Sequence, residues 1–504
     1  MDFIVEENKK YYYEPAAIDN SSSVKKLVLV CTIAATIQYG WALQLSLLTP
    51  YIQLLGVPHA WASIVWLCGP ISGMIVQPTI GHYSDRCTSR FGRRRPFIVS
   101  GAILLCFSVT IIGFAADLGA ALGDSIKKET KIRAITLFVL GFVILDVSNN
   151  MMQGPCRALL ADLARDNVAK VTIANALFAF FMAVGNIIGY GFGSYMKLSE
   201  FAPFTKTEAC DIYCANLKTC FLVAIIFVVI DVIIVVTLVE EEVFDPFTHQ
   251  NQVVVAKDNT HDRDHFIPES FFRQLISSLG SLEPQMWHLL LVTALNWIGW
   301  FPFMMFSTDW MGREVYGGDA HGNNIVKKAL YHKGVWAGTL GLIVYVLTLG
   351  LVSLFMEPLV NLMGSVKRLW SISSLILAFG MIMTGVVTQM ADDFRASGLQ
   401  LLPEPPPFQV RLFAFSLFAI LGIPLAVIYC IPFALTSIFS NQSGAGQGLS
   451  LGVLNLSIVI PQMCVAVICG PMDAIFGGSN LPAFYMGAVA AALSSFFALK
   501  YLEI

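Results

Sequence analysis

Apolar stretches of membrane-spanning length are the feature that most constrains this chain. We identify twelve of them, separated by polar segments that hold nearly all of the charged residues. A helix needs about 20 mainly apolar residues to cross a bilayer. The predicted spans are residues 27–51, 61–83, 97–116, 134–157, 171–197, 219–239, 287–306, 334–356, 368–390, 411–437, 447–471 and 481–499. Because a membrane-spanning backbone must satisfy its own polar groups, these runs predict an all-α integral membrane protein.

Composition supports the same class of protein. Charged residues make up 13% of the 504 residues, whereas 56% are hydrophobic. Soluble globular proteins carry about 25% charged residues, so this chain has too few to cover a water-facing surface. A soluble enzyme, a disordered chain and a nucleic-acid binder with a basic patch are therefore poor fits. We expect the lipid bilayer as a partner and no nucleic acid.

The longest polar interval divides the predicted spans into two sets of six. We predict a cytosolic tail, a first six-helix bundle, a cytosolic central loop, a second six-helix bundle and a short cytosolic end, at residues 1–26, 27–239, 240–286, 287–499 and 500–504. The first 26 residues are polar and the next apolar run is span-length, so we predict no cleavable signal peptide.

Orientation follows from the basic residues between the second and third predicted spans. Five arginines fall within ten residues there, namely Arg86, Arg90, Arg93, Arg94 and Arg95. Short loops rich in Lys and Arg stay in the cytosol. We therefore predict that both chain ends are cytosolic.

The two sets of spans resemble each other in sequence. Shifting the chain by 272 residues places Glu357 on Asp85, Gly364 on Gly92 and Lys367 on Arg95. A similar shift places Pro432 on Pro155. Internal repeats with a binding site between them are typical of transporters. We predict two pseudo-symmetric bundles that enclose a central cavity.

The repeated loop suggests an ionic latch at the cytosolic end. Asp85 could hold a helix N-terminus, and the arginines could bind facing helix ends and release them when the halves rock. The predicted latch residues are Asp85, Arg86, Arg93, Arg94, Arg95 and Glu357. The alternative is that the arginines only fix the topology.

Asp146 is the most informative residue inside a predicted span. A carboxylate near mid-bilayer costs about 2.5–3.5 kcal/mol on insertion scales, so it indicates a function. Low polarity favours the neutral acid, which could then bind and release a proton. Residues Asn149, Asn150, Gln153 and Arg157 follow at helical spacing and form one polar stripe. We predict that this stripe faces a water-filled cavity.

Two other charged residues inside the predicted spans are open to more than one interpretation. Arg157 lies about 16 Å along the helix from Asp146 at 1.5 Å per residue. It could bind sugar hydroxyls, hold carbonyl groups of another helix, or extend to the inner membrane surface. Asp231 has no polar stripe beside it. We predict a tolerated or locally paired acid without a role in coupling.

Polar and aromatic residues at the predicted outer side suggest an access route. Asp309 and Arg313 have the i,i+4 spacing of a helical ion pair, and Glu314 follows directly. This group could gate the outer mouth, or it could be a solvated loop pair of little energy. Gln38, Trp41 and Gln44 suit hydroxyl binding and stacking on a sugar, and their spacing favours Gln38 over Gln44.

Several motifs along the chain resemble those of plant sucrose–proton symporters, a family of the major facilitator superfamily. The loop pattern Gly-x-x-x-Asp-Arg-x-x-x-Arg-x-Gly-Arg-Arg at 81–94 is similar to the superfamily signature. The more specific motifs are Gln-Gly-Pro-Cys-Arg-Ala-Leu-Leu-Ala-Asp at 153–162, Thr-Asp-Trp-Met-Gly-Arg-Glu-Val-Tyr-Gly at 308–317, and the segments 38–50, 66–73, 92–97 and 447–455. The resemblance implies a twelve-helix carrier that moves sucrose and some glucosides with a proton, in the plasma membrane or the vacuolar membrane.

The same resemblance implies roles for individual residues. Asp146 matches the proton acceptor, Arg157 an arginine tied to sugar binding, and His59 a histidine linked to sugar access. The group Asp309, Arg313 and Glu314 matches the family motif. Ser307 stands where many relatives have an acid, which changes the charge balance of that group.

Other expectations concern cofactors and alternatives. We find no phosphate-binding loop and no set of ligands at metal spacing, so we predict no cofactor, no metal and no enzyme activity, with the proton as coupling ion. A disulfide among Cys210, Cys214 and Cys220 is plausible, with the pair left open. The alternatives in function are a carrier for another sugar or glucoside and a non-transporting sugar sensor.

Overall fold

The computed structural model describes residues 21–48, 51–52, 55–56, 68–125, 130–164, 168–195, 198–210, 212–241, 282–319, 324–396, 404–443, 446–476 and 479–502. Within these ranges the regular structure is helical and contains no strand. The predicted tail 1–26 and central loop 240–286 fall mostly outside them, so those bounds stay predictions.

In its described residues the first half contains six long helices and one short one. They are α1 (Ser21–Leu43), α2 (Cys68–Asp85), α3 (Arg95–Gly113), α4 (Ala115–Ala121), α5 (Ile132–Leu163), α6 (Val168–Ser194) and α7 (Ile212–Leu238). A π-helical turn, Gln44–Leu48, continues α1. The helix predicted over 134–157 extends six residues further, which places Arg157 inside a helix rather than at its end.

The second half repeats this arrangement. Its helices are α8 (Pro284–Trp310), α9 (Ile325–Leu354), α10 (Met356–Met363), α11 (Val366–Ala396), α12 (Phe408–Ser443), α13 (Gln447–Ile475) and α14 (Leu481–Tyr501). A π-helical turn, Met311–Val315, continues α8 beyond the predicted end at residue 306. Asp309 and Arg313 therefore lie on helical turns and not in a loop.

Eleven of the described helices are long and apolar enough to cross a membrane. The remaining long helix, α2, contains Gln77, Pro78 and His82, and residues 57–67 directly before it lie outside the described ranges. It packs between the two halves, where polar side chains can find partners. The predicted class, an all-α membrane protein with twelve spanning helices, is confirmed.

Buried apolar side chains form two large clusters, and each belongs almost entirely to one half. Contacts between the halves are made mainly by α2 with α13 and by α6 with α9 and α12. Gly92 and Gly364, which the repeat aligned, both have positive φ, at 98° and 65°. Glycine adopts this backbone conformation at little cost. The two loops thus share a turn as well as a sequence pattern.

Candidate functional site

Asp146 lies on α5 with 2% of its surface exposed. It faces α2 at Gly69, where an added methyl group would be 3.7 Å from the carboxyl Oδ2. Within the described chain Oδ2 has no hydrogen-bond partner. A buried polar atom without a partner is costly, so a proton or a ligand hydroxyl at this oxygen would stabilise the site.

The polar stripe after Asp146 divides into two parts. Asn150 donates hydrogen bonds to the Asp146 carbonyl and to Ser72 Oγ, both at 2.9 Å, and accepts one from Gln77 at 2.8 Å. Asn149 is buried, and neither polar atom of its side chain has a partner in the described residues. Gln153 is half-buried. Asn150 thus ties α5 to α2, whereas Asn149 has free hydrogen-bonding capacity for a ligand.

The α2 backbone connects this stripe to the second half. Asn455 of α13 donates to the Gly73 carbonyl at 2.9 Å. A methyl group added to Gly73 would lie 3.3 Å from both Asn150 Oδ1 and Asn455 Nδ2. Gly73 therefore lies directly between Asn150 of the polar stripe and Asn455 of the second half. A displacement of α13 would move the α2 backbone beside this stripe.

We expect Asn455→Ala to weaken contact between the halves. Hydrogen bonds between membrane helices contribute about 0.6 kcal/mol on average, which corresponds to a two- to threefold shift between conformations. For the sugar carrier that the sequence predicts, the substrate concentration for half-maximal transport should rise by that factor. Ser457→Ala is the matched control, because Ser457 bonds a carbonyl of its own helix. An equal rise in both variants would contradict the role of the contact.

Arg157 is 4% exposed and sits between the halves. Its guanidinium carbon lies 4.0 Å from the ring centre of Phe178 on α6 and 3.5 Å from that of Phe433 on α12. It also donates to Asn175 at 3.2 Å, while its Nε has no partner in the described chain. The interpretation as an arginine that extends to the membrane surface is wrong, because aromatic faces hold the cation inside the protein.

Aromatic side chains of the second half extend this group. Tyr429 lies one helical turn before Phe433 on α12, and its ring centre is 5.9 Å from that of Trp297. The ring centres of Trp300 and Tyr345 are 5.6 Å apart. The indole N–H groups of Trp297 and Trp300 and the Tyr345 hydroxyl are buried without partners in the described residues. Flat apolar faces beside unused donors are the chemistry that binds a sugar.

We did not predict this aromatic group from the sequence. Trp297 and Trp300 lie three residues apart in the helix that ends in the outer charged group, and that spacing puts them on one side of α8. Tyr345 and Tyr429 belong to unremarkable apolar runs. No sequence signal distinguishes them from ordinary core residues.

The predicted sugar-contacting residues on α1 have different surroundings. Gln38 accepts a hydrogen bond from Asn186 at 3.2 Å, so part of its amide holds α1 to α6. Gln44 is buried in the π-helical turn, and its Nε2 has no partner in the described residues. Trp41 is half-buried. The sequence favoured Gln38, whereas the structure leaves the Gln44 amide as the open donor. His59 lies outside the described residues.

Asp85 joins the halves at one end of the bundle. Its carboxylate accepts hydrogen bonds from the backbone N–H groups of Gly448 and Leu449, both at 2.9 Å, at the N-terminus of α13. The positive end of a helix dipole favours a carboxylate there. This geometry matches the hypothesis that Asp85 holds a helix N-terminus, and its role in transport stays a prediction.

Arg94 supports Asp85 from within the first half. It is fully buried and contacts Asp85 at 2.5 Å and Asp162 of α5 at 3.1 Å, and Arg93 also binds Asp162, at 2.5 Å. Burial acts to lower the pKa of Arg94, but the two carboxylates outweigh it and raise that pKa overall. The cation is therefore permanent, and we had not predicted Asp162 as its partner although the motif 153–162 contains it.

Contacts near the start of α3 involve Glu241, which we had not predicted, as well as some of the remaining predicted latch residues. Glu241 accepts hydrogen bonds from the backbone N–H groups of Arg94 and Arg95, at 2.7 and 3.2 Å, and so caps α3. The Arg95 side chain donates to the Val236 carbonyl, and Arg86 contacts the His82 ring. Burial raises the pKa of Glu241. Glu357 forms no ion pair with any described residue, and its assignment to the latch stays a prediction.

The outer charged group, Asp309, Arg313 and Glu314, connects helices of the second half. Asp309 pairs with Arg313 at 3.0 Å and accepts from Tyr331 at 2.7 Å and from Asn480 at 2.9 Å. Glu314 accepts from the backbone N–H of Asn480 at 2.7 Å. The alternative of a solvated loop pair is wrong, because α8 continues here and these partners hold the acids. The contacts found in the described residues join α8, α9 and α14 and do not cross to the first half.

Two smaller predictions concern Ser307 and the cysteines. Ser307 is buried, and its hydroxyl has no partner in the described residues. Cys210 is bonded to Cys214, and Cys220 is a buried free thiol. No group of three or more His, Cys, Asp or Glu side chains in the described ranges could hold a metal ion.

Two halves of spanning helices, with a buried acid and a buried arginine near their contact, define a multi-pass membrane transporter with the major facilitator fold. Solved structures of that fold agree. The transporter FucP in its outward conformation superposes with a TM-score of 0.63 at 13% identity, over 96% of this chain and 100% of that one. The proton:xylose symporter XylE, bound to 6-bromo-6-deoxy-D-glucose, gives 0.60 at 15% identity, over 96% and 97%.

Sequence comparison gives the family. A model described as MFS/sugar transport protein matches residues 30–259. Sucrose transport protein SUC4 of Arabidopsis thaliana is 48% identical, over 97% of this chain and 92% of its own length. Sucrose transport protein SUT2 of Oryza sativa subsp. indica is 43% identical, over 96% and 94%. The chain belongs to the sucrose transporter family of the major facilitator superfamily.

Proposed function

We propose that this protein couples the entry of a proton to the transport of sucrose by alternating access, with Asp146 as the proton acceptor. The carrying observation is the buried Asp146 carboxyl oxygen that has no partner in the described chain. It lies against α2, beside the contact that Asn455 makes with Gly73. The names of the relatives support sucrose as the substrate. Other glucosides remain the alternative cargo.

The sugar site in this proposal lies between the halves. Arg157 and Asn149 contribute from the first half, and Trp297, Trp300 and Tyr345 from the second. Their unused donors and acceptors would bind sugar hydroxyls, while the rings would cover the apolar faces of the sugar. A ligand that contacts both halves favours the conformation in which they close around it.

The described conformation is held together at the Asp85 end. Since the sequence assigns that end to the cytosol, the proposed cycle starts from a state closed to the cytosol. A proton from outside neutralises Asp146 and sugar binds. The halves then rock so that Asp85 leaves α13, and release of sugar and proton to the cytosol resets the carrier.

The driving force is adequate for accumulation. A membrane potential supplies about 2.3 kcal/mol per charge per 100 mV. Since about 1.4 kcal/mol corresponds to a tenfold concentration ratio, one proton supports accumulation by a factor of tens. In this proposal both chain ends are cytosolic and the carrier is in the plasma membrane, with the vacuolar membrane as the alternative.

The test is electrical recording from cells that express the protein. We expect sucrose to induce inward current that is larger at acidic than at neutral external pH. Currents with another sugar or a glucoside but none with sucrose would assign a different cargo. Sugar binding without any flux would indicate a sensor and would overturn the proposal.

We expect Trp297→Phe to weaken sugar binding selectively. The substitution keeps an aromatic face but removes an indole N–H that has no protein partner in the described chain. Loss of one hydrogen bond of about 0.5–1.5 kcal/mol predicts a two- to tenfold rise in the half-maximal sucrose concentration, with unchanged thermal stability of the sugar-free protein.

Trp310→Phe is the matched control for this variant. Its indole N–H donates to Thr388 at 2.9 Å within the second half. Removing it should lower thermal stability and leave the half-maximal sucrose concentration unchanged. The opposite pattern in the two variants would contradict the proposed sugar site.

A further inference from the structure

Asp231, the second acid within the predicted spans of the first half, lies against α1. The Thr32 hydroxyl oxygen is 2.5 Å from Asp231 Oδ1, and that of Thr36 is 3.4 Å from Oδ2. Both threonines belong to α1, and Asp231 belongs to α7. The acid is therefore locally paired, which is one of the two arrangements we predicted for it.

Counting hydrogens at Thr32 gives the protonation state. The Thr32 oxygen also lies 2.6 Å from the Leu29 carbonyl, so it has two oxygen neighbours at short hydrogen-bond distance. A hydroxyl carries one hydrogen and can donate to only one of them. With Asp231 ionised, one of these short contacts would join two acceptors with no hydrogen between them. With Asp231 protonated, the acid donates to Thr32 and Thr32 donates to Leu29.

The Thr36 hydroxyl also has two oxygen neighbours, but the one on Asp231 is more distant. Its oxygen lies 2.9 Å from the Ile33 carbonyl as well as 3.4 Å from Asp231 Oδ2. The shorter contact takes the hydroxyl hydrogen. Asp231 is thus left without a strong donor to stabilise a negative charge.

Among the described residues, the charged and titratable groups around Asp231 offer no counter-charge. Arg95 is the basic residue of α3 that contacts α7, and it is bound further along, at the Val236 carbonyl and Glu241. Lys26 of α1 pairs with Glu240 at the helix end. The thiol of Cys156 on α5 interacts with Asp231 and is neutral or negative. No described basic residue pairs with Asp231.

We propose that Asp231 is a neutral carboxylic acid that donates its proton to Thr32 and keeps it throughout the transport cycle. It forms a fixed tie between α7 and α1, and α1 continues into the turn that contains Gln44. The inference rests on the proposed function in one respect: only Asp146 exchanges a proton, although two acids lie within the predicted spans of the first half.

Infrared spectroscopy of the purified protein in lipid vesicles tests the protonation state directly. A protonated carboxyl group has a carbonyl band distinct from that of a carboxylate. We expect Asp146→Asn to retain such a band that neither external pH nor sucrose alters. Asp146→Asn combined with Asp231→Asn should lose it. A spectrum that is the same for both variants, or a band that titrates or responds to sucrose, would overturn the proposal.

Transport measurements give a second test. Asp231→Asn keeps a neutral side chain whose N–H can donate to Thr32, so we expect uptake within twofold of wild type, the same pH profile and the same proton-to-sucrose ratio. Asp231→Leu lacks the donor and should lower thermal stability. A changed proton-to-sucrose ratio in Asp231→Asn would show that Asp231 exchanges its proton.

The two proposals fail in different ways. If wild-type protein showed no proton movement with sucrose, the proposed function would fail, while the infrared band of Asp231 would be unaffected. If the band were absent and wild-type coupling normal, only the inference about Asp231 would fail.

Discussion

We expect Asp146→Asn to abolish the sucrose-induced proton current and the accumulation of sucrose against a gradient. Exchange of sugar across the membrane should remain. The amide has the shape of the protonated acid but cannot release a proton. The neutral, sugar-binding form should therefore persist, so preloaded vesicles should still exchange labelled for unlabelled sucrose at a rate independent of pH.

The measurement is a pair of assays on the same vesicles, uptake driven by an imposed pH gradient and exchange without one. Asp231→Asn is the matched control, since it also removes an acid from the first half and is expected to retain coupling. Full sucrose accumulation by Asp146→Asn would contradict the mechanism. Loss of exchange as well as accumulation would show that Asp146 also binds the sugar.

Replacing Asp85 with Ala should produce the second large effect. It removes two hydrogen bonds to the N-terminus of α13 and leaves the buried Arg94 guanidinium with Asp162 as its ion-pair partner in the described chain. Hydrogen bonds to charged groups contribute about 1.5–3 kcal/mol each, so the conformation closed at this end should lose at least a factor of ten in population. We expect uptake to fall at least tenfold in protein that still reaches the membrane.

Reactivity of a cysteine placed near Gly448 measures the opening directly, and it should rise in Asp85→Ala. Glu357→Ala is the control, because Glu357 is the repeat equivalent of Asp85 but has no ion pair in the described chain. Equal losses of uptake in the two variants would show that charge in the repeated loops fixes topology alone. A more reactive cysteine with normal uptake would separate latch opening from the rate-limiting step.

Much of the fold follows from the sequence because the bilayer sets the length of each helix. Hydropathy therefore located the twelve long helices, although it shortened α5 and α8 where polar residues continue a helix. That shortening had consequences for interpretation. It placed Arg157 at an apparent helix end and Asp309 and Arg313 in an apparent loop, whereas all three lie on helical turns.

The two membrane acids show what periodicity can distinguish. Asp146 has polar residues at helical spacing, and the structure places it beside α2 with an unpaired oxygen. Asp231 has an apolar neighbourhood in sequence, and its partners Thr32 and Thr36 come from another helix. The contrast between the acids was visible in the sequence, but the protonation of Asp231 depends on a contact across 199 residues.

Sequence by itself determined the membrane class, the number of long helices and the repeat, and it singled out the acid that we propose exchanges a proton, since each depends on local hydropathy or helical spacing. Tertiary structure alone decided that Arg157 lies between Phe178 and Phe433, that Asp162 and Glu241 bind Arg94, and that Trp297, Trp300 and Tyr345 have donors without partners in the described residues. These facts depend on which helix faces meet. A pattern along one helix specifies its polar face but not the neighbour against which that face packs.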